Sequence, residues 1–333
     1  MDKMMFNQVI PRIRVMETRL LDRSKLERMI DADTPFNSLK VLQETEYASL
    51  LNRVQRPEEY DTLLRQALNE TYDSLYSMIT RTEPVDFMAL KYDYHNLKVL
   101  LKAKLSDKDF SDLLFPIGTV EADIIKYALE NEDYRALNDY MVKAIVAVLE
   151  DFEELKEPQN IDIILDKYYF ENLLSISKSI NEEYLSKYLR ILIDLTNIKI
   201  VLRIKALNKG REFLSKNLID GGNIKMDKLN ILFGEALENI HNRLAATNYV
   251  NIIREGIEYY INNSSLALLE KNIENYIMDY MKRAKTIPFG IEPIIGYLYA
   301  KENEIKLLRI IMVGQLNNVS PEVIRERLRD SYV

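Results

Sequence analysis

Apolar residues recur at helical spacing in three matching stretches of the chain. The first reads NLKVLLKAK from Asn96, the second NIKIVLRIK from Asn197 and the third EIKLLRIIM from Glu304. Apolar residues three and four positions apart, such as Leu97 and Leu101 in the first stretch, lie on one face of a helix. Each stretch therefore predicts an amphipathic helix. We call these three the signature helices, and their nearly equal spacing indicates one unit that is used three times.

A lead-in segment and a middle helix precede each signature helix at similar distances. The lead-in segments begin at Lys25, Ile124 and Lys228, and the middle helices begin at Tyr60, Ile161 and Leu266. The loops FPIGT (115–119) and DGGN (220–223) separate the copies, because Gly ends helices well and Pro cannot continue one. The stretch SPEVIRERL predicts a last short helix, with Ser320 as N-cap and Pro321 as its first residue.

This pattern predicts an all-α protein made of three similar helical-bundle repeats. Nine glycines and nine prolines are few for 333 residues, whereas strand-rich proteins need turn residues every few positions. Hydrophobic residues make up 47% of the chain, which is enough to build a core in each copy. The predicted domains are residues 1–115 with an N-terminal helix, 116–220, and 221–333 with a C-terminal helix.

The composition excludes several classes of site and partner. The chain has no cysteine, so disulfides, thiolate zinc sites and cysteine nucleophiles are excluded. Its 45 basic and 52 acidic residues give a net charge of −7, which argues against a nonspecific nucleic-acid binder. No window approaches the roughly 18 uncharged apolar residues of a membrane span. We expect no nucleic-acid partner and no insertion into the membrane.

Catalytic and metal-binding motifs are absent from the sequence or incomplete. No stretch matches a Walker A phosphate loop or a G-x-S-x-G nucleophile turn. The stretch ENIH, from Glu238 to His241, has the spacing of di-iron helical bundles, which need a second such motif. The only other histidine is His95, and the residue three positions before it is Tyr92. We therefore predict no catalytic residue, no cofactor and no bound metal.

Basic residues follow the three copies. Two in each signature helix share a helix face: Lys98 with Lys102, Lys199 with Arg203, and Lys306 with Arg309. Residues three or four apart are neighbours on a helix surface, so each copy carries a short basic stripe. One interpretation is that the stripes contact solvent. The other is that they turn toward a common axis and contact an acidic partner, which makes these six residues the candidate partner contacts.

The whole chain resembles the C subunit of prokaryotic V-type (A/V-type) ATPases, the counterpart of the d subunit of eukaryotic V-ATPases. The resemblance rests on YDYHNLKVLLKAK in the first copy and on DKYYFENLLSIS with IDLTNIKIVLRIKALNKG in the second. It rests equally on GYLYAKENEIKLLRIIMVGQLNNVSPEVIRERL in the third copy, on ETEYASLL near the start and on the LLFPIGT loop. These pieces span the chain in the order found in the family.

The resemblance implies an all-helical funnel of three domains around a pseudo-threefold axis. Such a protein is a non-catalytic rotor subunit, peripheral on the cytoplasmic face of the membrane and monomeric when isolated. It receives the central shaft, formed by the D and F subunits, and sits on the membrane rotor ring of c/K-type subunits, passing torque between them. One departure is internal: the third copy has Glu304 where the others have Asn96 and Asn197. The three domains are therefore not expected to be equivalent contact surfaces.

Two other classes of protein stay open. A helical-repeat scaffold has a similar composition, although its usual repeats of about 33–47 residues are far shorter than these. An all-α enzyme would need a convergent polar cluster, which the sequence does not show. A rotor subunit should co-purify with shaft and ring subunits, whereas a scaffold or an enzyme should be self-sufficient. Neither the transported ion nor the direction of ATP chemistry is encoded in these motifs.

Overall fold

All regular structure in the part of the chain that the structure describes is helical. The computed structural model describes residues 3–333, so the first two residues of the predicted first repeat lie outside it. No strand occurs within the described residues. The predicted all-α fold class is therefore confirmed, whereas the threefold funnel arrangement stays a prediction.

The helices are numbered in chain order. They are α1 (Ile10–Glu17), α2 (Arg23–Ile30), α3 (Pro35–Lys40), α4 (Ala48–Leu51), α5 (Tyr60–Met78), α6 (Glu83–Ser106), α7 (Ala122–Asn131), α8 (Asp139–Leu155), α9 (Pro158–Ile180), α10 (Glu183–Ala206), α11 (Arg211–Asn217), α12 (Met226–Gly234), α13 (Ile240–Arg243), α14 (Val250–Asn263), α15 (Ala267–Lys282), α16 (Glu292–Leu316) and α17 (Pro321–Arg327). Short 3-10 turns lie at Lys3–Phe6, Val41–Glu44, Pro57–Glu59, Ser111–Leu113, Leu237–Asn239 and Arg283–Thr286.

The predicted pieces map onto these helices. The signature helices are α6, α10 and α16, with 24, 24 and 25 residues. The lead-in helices are α2, α7 and α12, and the middle helices are α5, α9 and α15. The last short helix is α17, which begins at Pro321 as predicted. Ser320 occupies its N-cap position with an extended backbone, but the Ser320 hydroxyl makes no capping bond.

The helices pack into two compact units. The first unit is Thr82–Gly234 and contains α6 to α12. The second unit combines the described residues up to Arg81 with Glu235–Val333, and contains α1 to α5 and α13 to α17. The three repeats predicted from the sequence divide the chain differently, and that division stays a prediction.

The signature helices lie in the cores of these units. In the first unit α6 is buried on most of its sides, with Leu90, Leu97 and Leu101 at most 1% exposed, and α9 packs along it. In the second unit α1, α2, α3, α5 and α15 all pack against α16. A helix that is apolar nearly all round is a core helix. The polar residues that these helices do bury therefore need a specific explanation.

Several helices end at a left-handed residue other than glycine. Left-handed residues follow the ends of α6, α7, α8, α9 and α14, and they are Asp107, Glu132, Lys156, Asn181 and Ser264. This conformation costs a residue with a Cβ about 1–2 kcal/mol. Most glycines of the chain are thus placed for other reasons, and the FPIGT and DGGN loops show one of them.

Candidate functional site

Each signature helix contacts the lead-in segment and lead-in helix of the next copy, and we call this contact a joint. The first joint connects α6 to α7 and the second connects α10 to α12, both within the first unit. The third joint connects α16 to α2 within the second unit. Its two sides lie near opposite ends of the sequence, so no linker connects them directly.

All three joints share one hydrogen bond at the end of the lead-in helix. A polar side chain late in the signature helix donates to the carbonyl of the eighth residue of the lead-in helix. The pairs are Lys104 Nζ with Leu129 at 2.5 Å, Lys205 Nζ with Phe233 at 2.7 Å, and Gln315 Nε2 with Ile30 at 2.8 Å. The last carbonyls of a helix have no partner within the helix, so these side chains fix where each lead-in helix ends.

In the first joint the buried carboxylate of Asp93 binds the turn that precedes α7. Thr119 donates its backbone N–H at 2.9 Å and its hydroxyl at 2.6 Å, and Val120 donates its N–H at 3.2 Å. A Cβ on Gly118 would lie 2.2 Å from Asp93 Oδ1. The glycine of the FPIGT loop is therefore required because the backbone passes so close to the carboxylate.

The second joint repeats this arrangement. Asp194 accepts the N–H of Ile224 at 2.9 Å and the side-chain amide of Asn223 at 2.8 Å. A Cβ on Gly222 would lie 2.3 Å from Asp194 Oδ1. From the sequence, both loops were interpreted only as breakers. The signal that could have revealed more is an aspartate and a glycine that recur together at matching positions in two copies.

An asparagine one turn further along the signature helix adds a second clamp to these two joints. Asn96 donates to the carbonyl of Phe115 and accepts its N–H, both at 2.8 Å. Asn197 does the same with Ile219, at 2.7 and 2.9 Å. A side-chain amide offers both a donor and an acceptor to a backbone residue. Each clamp therefore fixes both polar groups of one linker residue.

The third joint uses charged residues at the same positions. Lys301 stands where the other copies have aspartate, and Glu304 stands where they have asparagine. Glu304 Oε2 accepts the backbone N–H of Leu21, which is the second residue before α2, as Val120 and Ile224 are before α7 and α12. The accepting side chain thus lies one helical turn later in the third signature helix than in the other two. The backbone N–H that it binds is at the same position before the lead-in helix.

A buried ionic cluster completes the third joint. Lys301 Nζ donates to Glu304 Oε1 at 2.6 Å, to Tyr47 Oη at 2.7 Å and to Glu46. Lys301 and Tyr47 are each 1% exposed. Burial, with the negative charge of Glu304 beside it, raises the pKa of Tyr47 well above its ordinary value. The phenol therefore stays protonated and donates to Glu304 Oε1 at 2.5 Å.

The charge state of the first joint depends on pH. Burial is the main influence on Asp93 and raises its pKa from 3.8 to about 6, although the hydrogen bonds from Thr119 and Val120 act in the opposite direction. Burial thus opposes deprotonation of this carboxyl group in the folded chain, because the carboxylate loses the water that would stabilise its charge. The joint is expected to hold a neutral carboxylic acid below about pH 6 and a carboxylate above it.

Asp93→Asn is expected to change how stability depends on pH. The folded pKa of about 6 lies above the roughly 3.9 of an unfolded aspartate. The stabilisation from Asp93 is therefore fully present below about pH 4 and is lost as the pH rises through about 6. A difference of about two in pKa corresponds to about 3 kcal/mol. The uncharged variant should accordingly gain up to about 3 kcal/mol relative to the native chain between about pH 4 and pH 7.

Urea unfolding of both proteins across this pH range measures the gain. Parallel stability curves for Asp93→Asn and the native chain would contradict the prediction, because they would mean that the buried charge has no net cost.

Glu238, His241 and His95 lie in three different elements. Glu238 lies in the 3-10 turn Leu237–Asn239 and His241 lies in α13. His95 contacts the carbonyl of Leu113 at 3.0 Å. Over the described residues, no three His, Cys, Asp or Glu side chains gather as a metal site would require. None of the helices in the described part of the chain is both long and apolar enough to cross a bilayer.

Four of the six candidate partner-contact residues pair with carboxylates of neighbouring helices. The pairs are Lys98 with Asp166 at 2.5 Å, Lys102 with Asp162 at 2.8 Å, Lys306 with Glu274 at 2.6 Å, and Arg309 with Asp61 at 2.7 Å. Asp61 and Asp162 are matching residues of the middle helices α5 and α9. Three of the pairs therefore connect a signature helix to the middle helix of the next copy, and the Lys306 pair connects α16 to α15 of its own copy.

The other two candidates lie on α10. Arg203 is exposed and Lys199 is half-buried. An ion pair at a partly exposed position contributes roughly 0–1 kcal/mol, so pairing does not prevent the stripes from meeting a partner. Their role as partner contacts stays a prediction.

The chain that contains these joints matches one protein family along nearly its whole length. The family model described as the ATP synthase (C/AC39) subunit matches residues 9–327. The chain belongs to this family. The resemblance stated from the sequence is thereby confirmed.

Individual relatives agree with this membership. The chain is 28% identical to the C subunit of the A-type ATP synthase of Methanocaldococcus jannaschii, over 95% of this chain and 84% of that protein. It is 26% identical to the C subunit of the V-type sodium ATPase of Enterococcus hirae, over 99% of both chains. It is 28% identical to the C subunit of the A-type ATP synthase of Methanobrevibacter smithii, over 90% of this chain and 81% of that one.

Proposed function

We propose that the chain is a non-catalytic central-stalk subunit of a V-type ATPase. In this role it joins the central shaft, formed by the D and F subunits, to the membrane rotor ring and transmits torque for ion transport on the cytoplasmic face of the membrane. The observation that carries the proposal is the family match over residues 9–327. Such a subunit needs no catalytic residue, cofactor or metal of its own.

The joints suit a part that must transmit torque. A rotating coupler has to resist shear between its copies, and apolar contacts alone are non-directional. In the first two joints, buried Asp93, Asn96, Asp194 and Asn197 hold the following linker by directional hydrogen bonds. In the third joint Glu304 holds the corresponding backbone group. Each copy is thus fixed to the next by more than packing.

The same joints support the three-repeat division and the pseudo-threefold funnel as parts of this proposal. The predicted boundaries at residues 115 and 220 fall inside the first two joints, where Asn96 and Asn197 clamp the linkers. In the third joint α2 packs against α16 with the same end-of-helix bond as in the other two. That correspondence supports an arrangement in which each of the three copies contacts the next one and the third contacts the first.

We include the basic stripes in the proposal as contacts for an acidic end of the shaft. The six residues are Lys98, Lys102, Lys199, Arg203, Lys306 and Arg309. Because charged groups at an interface steer association more than they tighten it, the stripes should act on the rate of docking. Because salt screens charges at the surface, their effect should be largest at low ionic strength.

Co-expression with the D and F subunits of the shaft tests the function. The expected result is a stoichiometric complex on size-exclusion chromatography, with the free chain eluting as a monomer. Elution of the chain apart from the shaft under all conditions would instead favour a self-sufficient scaffold or enzyme.

The same assay has an arm for the stripes. Replacing Lys98, Lys199 and Lys306 with Glu should slow shaft association at low salt while the helical content is kept. Roughly 0.15 M salt should hide most of the difference, because charges more than about 8 Å apart are then screened. Unchanged kinetics at low salt would assign the stripes to intramolecular pairing alone.

A further inference from the structure

One face of the second unit combines exposed cations with exposed apolar side chains. It consists of α1, the last turn of α15 and the loop 283–291, and we call it the basic face. Arg14 on α1 donates to the carbonyls of Ala284 at 2.8 Å and Ile287 at 2.6 Å. These bonds hold α1 directly against the loop. The two elements therefore form one continuous surface.

The charge of the basic face is opposite to that of the chain as a whole. Its cations are exposed Arg12, Arg283 and Lys285, with half-buried Lys282, and exposed Arg19 lies two residues after the end of α1. The acidic residues on the same elements are Asp279, which is exposed, and Glu17, which is paired with Arg14 at 2.7 Å. Glu292 follows the loop and is buried. This face is thus net positive on a chain whose formal charge is −7.

Exposed apolar side chains lie on the same two elements as these cations. Val15 on α1 is 53% exposed and Phe289 in the loop is 47% exposed. Nine residues separate α15 from α16, whereas four separate α5 from α6 and two separate α9 from α10. The loop that carries Arg283, Lys285 and Phe289 is therefore longer than the matching loops of the other two copies.

We propose that the basic face binds the headgroup layer of an anionic lipid membrane. Interfacial segments combine Lys and Arg with Phe or Leu, because the cations meet headgroup phosphates while the apolar side chains reach the acyl boundary. Phe289 and Val15 are the exposed apolar side chains that lie on the same elements as the cations here. An anionic membrane repels a chain of net negative charge, so the chain should approach the membrane with its basic face.

The isolated chain should bind such a membrane without the shaft. Vesicle flotation with the full chain tests this, using phosphatidylcholine alone and an equal mixture of phosphatidylcholine with phosphatidylglycerol. The chain should float with the anionic vesicles at low salt and stay behind with the zwitterionic ones. Roughly 1 M salt, where the screening length is about 3 Å, should release most of it.

Arg283→Glu with Lys285→Glu should weaken binding to the anionic vesicles by at least about twentyfold. Each Lys or Arg near an anionic surface strengthens binding roughly fivefold, and here two are lost. Phe289→Ala should weaken binding severalfold and leave its salt dependence in place. The matched control is Lys108→Glu with Lys126→Glu, which makes a charge reversal of the same size at exposed positions of the first unit.

Circular dichroism verifies that all variants are folded. The proposal is overturned if the native chain ignores anionic vesicles at low salt, if it binds both kinds of vesicle equally, or if the control weakens binding as much as the basic-face variant. Failure of the native chain to bind the shaft would leave the vesicle result unaffected, so failure of the proposed function can be recognised separately.

Discussion

Lys301→Met is expected to lower the free energy of unfolding of the second unit by about 3–5 kcal/mol. The lysine is 1% exposed and donates to Glu304, Tyr47 and Glu46. Its loss leaves the carboxylate of Glu304, which is 5% exposed, without a counter-charge. Removing one partner of a buried pair costs far more than the pair contributes, because the remaining charge stays desolvated.

Urea unfolding measures the loss, and amide exchange at Leu21 reports it locally, since that N–H donates to Glu304. Lys306→Met is the matched control. It is the same substitution on the same helix, at a side chain that is 44% exposed and paired with Glu274, so about 0–1 kcal/mol is expected. Adding Glu304→Gln to Lys301→Met should restore most of the loss. A cost below about 1 kcal/mol for Lys301→Met would contradict the prediction, because the loss of one partner of a buried ion pair would then carry no large penalty.

Gly118→Ala is expected to destabilise the first unit by about 2–6 kcal/mol. The added methyl would lie 2.2 Å from Asp93 Oδ1 and 3.0 Å from the carbonyl oxygen of Val120. Overpacking costs about 1–3 kcal/mol, and separating buried Asp93 from its donors adds about 1–3 kcal/mol. Gly222→Ala should act in the same way in the second joint, because its methyl would lie 2.3 Å from Asp194 Oδ1.

Gly210→Ala controls for the general effect of losing a glycine. Nothing lies within 4 Å of the position that its Cβ would take, so stability should change by no more than about 0.5 kcal/mol. Thermal unfolding of the three variants compares them directly. Equal melting temperatures for Gly118→Ala and Gly210→Ala would mean that the turn moves away from Asp93 without cost, and the joint would then not be a rigid element.

The helices could be predicted from the sequence because the residue pattern that identifies a helix is local. Apolar residues three and four apart, such as Leu97 and Leu101, identify a helix without reference to the rest of the chain. The start of α17 at Pro321 was found in the same way, from the conformational preference of one residue. Ser320 was found as its N-cap residue in the same way, although its hydroxyl makes no capping bond.

The sequence showed the repeated residues of the joints but not their partners. The repetition of Asn96 at Asn197, and its replacement by Glu304, formed a pattern to which no role could be given. Their roles depend on partners that are distant along the chain: Phe115 for Asn96, Ile219 for Asn197 and Leu21 for Glu304. Helical periodicity carries no information about which backbone group a buried amide or carboxylate will meet. The same holds for the basic stripes, whose carboxylate neighbours come from other helices.

By itself, the sequence determined the helical class and the family, and it predicted three matching copies, because each is expressed in residue types at fixed spacings. Only the tertiary structure decided that Gly118 and Gly222 make room for Asp93 and Asp194. It alone placed Lys301 in a buried cluster with Tyr47. The physical reason is that burial, and the choice of partner for a buried polar group, depend on which segments approach one another. That approach is set by packing of the whole unit, whereas secondary structure is set mostly within a few residues.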